Sequence, residues 1–295
     1  MKLQIKRDQY IFQQKGVIFL IKYDIENKEP SFLPDGNWSL IFDDEFDQGK
    51  LDTSKWDFRR SMMGKECKHW VGDEGIEFDD DNIIFKLIEK DGVYCSSQLQ
   101  TGYNFMDGVV KENDDRSKYF SWPISEIKEN KFVHKYGYYE CRCKMQQMDG
   151  WWCAFWLQSP IIGSTLSPEI SGIEVDIMEQ FEKNNTIQHN NYWNGYSSQM
   201  QKTGPTFVTL EETKDNYHTF GLDWTADYYR YYVDGRLTLE IKANAPFPVS
   251  QTEQFLLLTT EAIGYRTSTW NCWDETKKAV GDKWIVDYVR VFKRK

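Results

Sequence analysis

The sequence lacks a long hydrophobic run and a recognisable export signal. The apolar stretch from Val17 to Ile21 covers five residues, whereas a membrane-spanning helix needs about 20. We therefore expect no membrane partner. After Lys2, charged residues and glutamines recur without the small-residue cleavage site of a signal peptide. The localisation stays open between the cytoplasm, export by another route, and a chain expressed without its leader.

The sequence also lacks an excess of basic residues and a cysteine motif that would bind a metal. The 36 Lys and Arg residues against 46 Asp and Glu residues give a formal net charge of −10. Nucleic-acid binding requires a basic face, so we expect no nucleic-acid partner. The same charge mildly disfavours polyanionic substrates such as sulfated galactans. The six cysteines form no C-x-x-C metal motif, and we expect Cys141 and Cys143 to pack as small apolar side chains.

Aromatic residues and short strand patterns are what the chain has in abundance. Aromatic residues make up 16% of the sequence, including 12 Trp and 17 Tyr, and such rings stack well on the apolar faces of sugars. From Trp38 onward, short strand patterns alternate with turn signals and no long helical period interrupts them. This spacing predicts an all-β protein built as a two-sheet β-sandwich.

The domain organisation follows from the same patterns. We expect residues 1–36 to form a small extension, with a hairpin near residues 9–23 and a turn-rich link after it, packed on a main domain of residues 37–295. The polar stretch from Asn104 to Lys131 predicts a long insertion between strands, which would either shape a cleft or form a surface loop.

Three acids, Glu174, Asp176 and Glu179, lie within six residues in a segment typical of a buried strand. Side chains alternate between the faces of a strand, so Glu174 and Asp176 share a face and Glu179 is out of phase. One extra residue, in a β-bulge between Asp176 and Glu179, would return Glu179 to that face. The glutamates would then lie roughly 13 Å apart along the backbone, and inward-leaning side chains could bring their carboxyls to the roughly 5 to 5.5 Å of a retaining glycosidase.

The same pattern has alternatives. An inverting pair of carboxyls has a wider spacing that the strand arithmetic does not exclude. An exposed acidic strand edge or a cation site would also place three acids close together. Carboxylates are costly to bury unless their chemistry is needed, which favours catalysis.

The order of motifs resembles glycoside hydrolase family 16, which includes laminarinases, lichenases, agarases, carrageenases and endo-β-galactosidases. The resemblance covers about residues 37 to 293. Besides the acidic strand, it rests on segments 42–46, 51–56, 96–101, 136–145, 149–157, 218–224, 231–235 and 284–292.

The resemblance implies a jelly-roll β-sandwich with a concave substrate cleft. It also implies Glu174 as nucleophile, Asp176 as assisting carboxylate and Glu179 as general acid/base of a retaining endo-β-glycosidase, with no cofactor for catalysis. The E-x-D-x-x-E form belongs to the bulged branch of the family rather than to the lichenases. The lead-in at residues 168–173 departs from the usual laminarinase pattern, as do Trp151 and Cys153.

The substrate stays open at this point. A β-1,3 or mixed-linkage glucan is favoured, and an endo-β-galactosidase acting on galactan, agar-type or host glycans is the close alternative. A non-catalytic sugar-binding protein and a transglycosylase are further alternatives on the same fold. We expect a polysaccharide or oligosaccharide partner and a monomer.

Further residues are predicted to line the cleft or to bind a metal. Trp152 matches a family tryptophan beside the scissile bond, and His189 could reach the cleft or be a satisfied side chain elsewhere. Asp287 matches the C-terminal ligand of a structural calcium. The predicted substrate-binding residues are Trp152, Trp156, Trp193, Tyr192, Glu261, Trp270 and Arg60.

Overall fold

The computed structural model describes residues 20–62, 65–105, 128–181, 184–196, 198–212, 216–244, 246–262 and 273–295. Its strands are β1 Leu20–Tyr23, β2 Ser31–Pro34, β3 Trp38–Asp44, β4 Asp57–Phe58, β5 Ser61–Met62, β6 Lys65–Glu66, β7 Trp70–Val71, β8 Ile76–Phe78, β9 Ile83–Lys86, β10 Ile88–Lys90, β11 Val93–Gln100, β12 Gly137–Lys144, β13 Trp151–Gln158, β14 Glu174–Gln180, β15 Thr186–Trp193, β16 Gln201–Lys202, β17 Thr206–Thr209, β18 His218–Trp224, β19 Tyr228–Val233, β20 Arg236–Lys242, β21 Phe255–Ala262 and β22 Lys283–Arg294. Two short helices, α1 Pro168–Ser171 and α2 Trp273–Lys278, and a 3₁₀ turn at Asp73–Gly75 lie between strands.

Most strands belong to two large sheets. Sheet A has the order β10-β11-β21-β13-β14-β15-β16, with β17 also pairing β15, and β4 and β7 pairing β11. Sheet B has the order β20-β19-β18-β12-β22-β9-β8, with β3 pairing β22. Neighbouring strands are antiparallel except for the pairing of β7 with β11.

The main hydrophobic core lies between the two sheets. Strand alternation sends one set of side chains from each sheet into this layer and the other set outward. The core includes Leu99, Phe155 and Leu258 from sheet A, and Tyr139, Phe220 and Val289 from sheet B. Cys141 and Cys143 are buried in the same cluster, as predicted. The two-layer arrangement confirms the predicted β-sandwich of the jelly-roll type.

Strand β13 shows how the alternation creates two different surfaces. Trp151, Cys153, Phe155 and Leu157 are buried in the core. The alternate side chains, including Trp152 and Trp156, therefore point to the face of sheet A that is turned away from the core, called the outer face below.

Strands β1 and β2 form a separate ribbon that packs on the sandwich. Leu20 pairs with Pro34 and Tyr23 with Ser31. The ribbon shares a small cluster with the main domain, in which Leu33 and Phe292 are fully buried. Strand β1 therefore pairs with β2, which lies in the segment that the sequence predicted to be a link. This pairing is favourable because it lets Leu33 of β2 be buried against the main domain. The first strand of the predicted hairpin lies outside the described residues, and the boundary at residue 37 stays a prediction.

The described helices are short. The longer one, α2, has six residues, and no helix in the described part of the chain is long and apolar enough to cross a membrane. Most of the predicted insertion between Asn104 and Lys131 lies outside the described residues.

Candidate active site

The three acids lie on the outer face of sheet A because β14 carries a bulge. Against β15, Asp176 pairs with Asn190 and Glu179 with Gln188, so three steps on β14 match two on β15. The side chains of Ile177 and Met178, which are neighbours in the sequence, are both buried in the core. The strand therefore accommodates one extra residue between Asp176 and Glu179. The predicted bulge between Asp176 and Glu179 is therefore confirmed, and Glu174, Asp176 and Glu179 share one face.

The register of sheet A places the acids in two rows of paired residues that cross the outer face. One row passes through Glu179 and the other through Asp176. The first row consists of Gln98, Thr259, Ala154, Glu179 and Gln188, and the second of Gln100, Leu257, Trp156, Asp176 and Asn190. Glu179 thus lies between Ala154 and Gln188, and Asp176 lies between Trp156 and Asn190.

Asp176 is the buried acid of the three. Its side chain is 3% exposed, and its Oδ2 atom has no hydrogen-bond partner among the described residues. Burial raises the pKa of Asp176 well above its usual value, and the charges of Glu179 and Glu174 raise it further. Burial and these charges therefore favour the protonated form of Asp176, which can donate a hydrogen bond to one of the glutamates.

Glu174 is held by a tyrosine that the sequence did not single out. The hydroxyl of Tyr196 donates a hydrogen bond to Glu174 Oε2, and Gln158 Nε2 donates to the same hydroxyl at 2.6 Å. Burial and the charge of Glu174 raise the pKa of Tyr196, so the phenol stays a donor.

A tight turn brings Tyr196 back to the acids after β15. Asn194 and Gly195 both have positive φ angles, 64° and 69°, which asparagine and glycine tolerate best. The backbone of Gly163 approaches so closely that a Cβ there would lie 2.5 Å from the Cα of Gly195. The Asn-Gly pair was the available sequence signal for this turn.

Glu179 is half-buried and contacts the neighbouring strand. Gln188 Nε2 donates a hydrogen bond to Glu179 Oε2 at 3.0 Å. One carboxylate oxygen is therefore fixed from the β15 side, as a proton-transfer group requires.

His189 lies on the core side of β15 and supports the bulge from behind. Its Nδ1 donates to the carbonyl oxygen of Ile177 at 2.6 Å, and its Nε2 lies 2.8 Å from Thr238 Oγ1. A carbonyl oxygen only accepts, so Nδ1 carries the proton of the neutral ring. His189 is thus a satisfied core residue, not a residue of the cleft.

Burial lowers the pKa of His189 to about 4. In the unfolded chain this histidine binds a proton near pH 6.5, whereas in the folded protein it stays neutral until about pH 4. Its contribution to the free energy of unfolding is therefore fully present above pH 6.5 and is lost as the pH decreases towards 4. We expect His189→Gln, which keeps a donor for Ile177, to remove about 3 kcal/mol of the difference in unfolding free energy between pH 7 and pH 4. Urea unfolding at a series of pH values measures it, and identical pH slopes in the two proteins would contradict it.

Two of the predicted aromatic residues lie on the outer face with restricted exposure. Trp152 is 9% exposed, because the ring of Phe181 stacks on it with centroids 5.3 Å apart. Trp156 Nε1 donates to Thr259 Oγ1 at 2.9 Å. These indoles therefore form a packed floor rather than freely exposed platforms.

Tyr192 and Glu261 also lie on this face. Tyr192 pairs directly with Glu174 across the strands, and burial, with the charges of the three acids, raises its pKa. Glu261 lies opposite Trp152 and is 5% exposed. Trp270 lies outside the described residues.

Two predicted cleft residues occupy other positions. Trp193 lies on the core side of β15 and packs in the main core, because neighbouring residues on a strand face opposite sides. Arg60 lies over the ring of Phe58. Arg59 is instead the buried arginine, and it lies 5.6 Å from the ring of Trp156 and 5.8 Å from that of Trp70. Only the pairing of this segment with β11 distinguishes Arg59 from Arg60.

Asp287 has a cationic neighbour. Its carboxylate accepts a hydrogen bond from Arg142, whose guanidinium also lies 4.2 Å from the ring of Tyr217. Calcium prefers six to eight oxygen ligands, and no group of three or more His, Cys, Asp or Glu side chains in the described ranges is placed to hold a metal. In the described part of the chain Asp287 thus forms an ion pair with Arg142, and a calcium ion at this position stays a prediction.

Known proteins show the same fold and related sequences. A glucan endo-1,3-beta-glucosidase A1 of Niallia circulans is 24% identical over 277 residues, which cover 86% of this chain and 38% of that protein. A beta-glucanase of Rhodothermus marinus is 24% identical over 271 residues, covering 87% and 86%. The chain thus spans less than two fifths of the Niallia protein.

A solved structure and a family profile complete the comparison. SCLam, a non-specific endo-beta-1,3(4)-glucanase, superposes with a TM-score of 0.64 at 20% identity, covering 88% of this chain and 93% of that one. At this identity the likeness establishes the fold. The profile of glycosyl hydrolases family 16 matches residues 68–289, well over half of the sequence. The chain therefore belongs to glycosyl hydrolase family 16.

Proposed function

We propose that this protein is a retaining, endo-acting β-glycoside hydrolase that cleaves a β-linked glucan by double displacement. The observation that carries the proposal is the bulged strand β14, which places Glu174, Asp176 and Glu179 on one face. Burial between the two glutamates raises the pKa of Asp176, which favours its protonated form. A nucleophile and a general acid, both carboxyls on one wall of the cleft, are what glycosidic cleavage requires, and we assign these roles to Glu174 and Glu179.

In the first step, a carboxylate oxygen of Glu174 attacks the anomeric carbon. The bond from that carbon to the leaving sugar oxygen breaks, and Glu179 gives its proton to that oxygen. In the second step, Glu179 takes a proton from water as the water oxygen attacks the anomeric carbon. The ester bond to Glu174 breaks in that same displacement, and the product keeps its β configuration.

Asp176 and Tyr196 position these groups. Tyr196 donates a hydrogen bond to one oxygen of Glu174 and so helps to fix the orientation of that carboxyl group. A protonated Asp176 can donate to whichever glutamate carries the negative charge in a given step. Burial and the neighbouring negative charge hold this proton, so Asp176 does not compete with Glu179 as the proton donor.

The relatives support a β-1,3 or mixed-linkage glucan as the substrate. These relatives are named as an endo-1,3-beta-glucosidase and a beta-glucanase, and the superposed structure is an endo-beta-1,3(4)-glucanase. In the structure, the atypical lead-in before Glu174 contains the short helix α1, Pro168–Ser171. Because this lead-in departs from the usual laminarinase pattern, galactan remains the alternative substrate.

The chemistry proposed here uses carboxyl groups alone. Neither step calls for a metal or an organic cofactor, and a structural calcium at Asp287 stays a prediction that the ion pair with Arg142 does not support. A glycan is the proposed partner, and the monomeric state stays a prediction.

Product analysis tests the proposal. The protein is incubated with laminarin, mixed-linkage β-glucan, and neutral and sulfated galactans, and the products are sized over time. Internal cleavage of a glucan to a ladder of oligosaccharides, with β-anomers formed first by NMR, is the expected result. Initial α-anomers would contradict retention, and binding to a polymer without cleavage would support the sugar-binding alternative.

A further inference from the structure

An open concavity of about 240 Å³ adjoins the acids on the β15 side. Its lining includes Glu179, Phe181, Gln188 and Phe207. Glu174 is not among the described residues that line it. The concavity therefore borders the proposed acid/base and not the proposed nucleophile.

Phe207 is the unusual residue of this lining. It lies in the short strand β17, where Val208 is buried in the core while Phe207 is 69% exposed. Most of this phenyl ring stays in contact with water, so its burial stabilises the fold little. A single exposed ring is common on protein surfaces, but this one lines the concavity that also contains Glu179, where an apolar face of a ligand can cover it.

The register of sheet A aligns Phe207 with the catalytic row. Gln188 pairs with Glu179 on one side and with Phe207 on the other. Directly paired residues point to the same face, so Phe207 lies on the outer face two strands from Glu179, at roughly 10 Å between backbones. Gln188 lies between them and donates to Glu179.

The rest of the concavity is suited to a sugar ring. Phe181 forms its wall and is held in place by stacking on Trp152. The amide of Gln188 adds a polar group beside the two phenyl rings. An apolar ring with an amide next to it matches a pyranose, which has apolar C–H faces and hydroxyls around its rim.

We propose that Phe207 is a stacking platform for a sugar on the leaving-group side of the scissile bond. This inference rests on the proposed function and deepens it. The general acid must reach the leaving oxygen, so a concavity lined by Glu179 receives the sugar that departs first. The same platform holds an acceptor sugar when the intermediate transfers to a saccharide instead of water.

The experiment compares Phe207→Ala with the unchanged protein on two substrates. One is the polysaccharide that the protein cleaves, and the other is an aryl oligoglycoside of the same sugar, whose chromophore replaces every leaving-side sugar. We expect kcat/KM for the polysaccharide to fall about tenfold, as for the loss of one aromatic contact, and kcat/KM for the aryl glycoside to change less than about twofold. The ratio of transfer products to hydrolysis products should fall as well.

A matched variant and the other outcomes separate the possibilities. Phe207→Tyr keeps the ring and should retain polysaccharide activity. Equal losses on both substrates, or no loss on the polysaccharide, would overturn the platform while leaving the proposed function intact. If the unchanged protein cleaves neither substrate, the proposed function fails and the platform fails with it.

Discussion

Glu174→Gln is expected to lower the turnover of polysaccharide by about 10⁴-fold or more, because the amide cannot form the covalent intermediate. Its affinity for the polymer should change little, since glutamine has the same shape and still accepts the hydrogen bond from Tyr196. Reducing-end assays measure turnover, and titration calorimetry with an oligosaccharide measures affinity.

Glu169→Gln provides the matched control for this prediction. Glu169 is an exposed acid in α1, close in sequence to Glu174 but in a different element. We expect this variant to keep near-normal turnover. Near-normal turnover of Glu174→Gln itself would remove Glu174 as the nucleophile.

Glu179→Ala is expected to lower polysaccharide turnover by about 10²- to 10⁴-fold, the range typical of a lost general acid/base. An aryl glycoside with a good leaving group needs no proton to form the intermediate, so that step should be largely spared. Added azide, which needs no base to attack, should then restore turnover and release a β-glycosyl azide. NMR of the product identifies its configuration.

The same azide experiment distinguishes the two glutamates. In Glu174→Ala, azide would attack the substrate directly and give the α-glycosyl azide. Finding the α product with Glu179→Ala would reverse the assigned roles. Wild-type turnover of the polysaccharide by Glu179→Ala would exclude it as the acid/base.

The acidic strand was predictable because its geometry is local. Alternation alone placed Glu174 and Asp176 on one face, and the single extra residue before Glu179 required the bulge that β14 has. Trp152 and Trp156 follow from the same period of two. The low exposure of Trp152 could not be predicted in the same way. Phe181 covers this ring, and the two residues meet because β13 pairs with β14.

Adjacent candidates were the weak point. Tyr192 and Trp193 cannot both face the acids, and the pairing of Tyr192 with Glu174 decides between them. Arg59 and Arg60 pose the same choice, which the position of the segment beside β11 decides. In both cases the sequence pattern identified the pair of adjacent residues. It did not show which of the two side chains points to the outer face of sheet A.

The sequence by itself determined the all-β class, the family motifs, the shared face of the acids and the need for a bulge, because each depends on spacing within one segment. Only the tertiary structure decided what surrounds them. Burial raises the pKa of Asp176, a turn after β15 returns Tyr196 to Glu174, and His189 supports Ile177 from the core. These effects arise between strands, where the distances are set by sheet register and packing, which no single segment encodes.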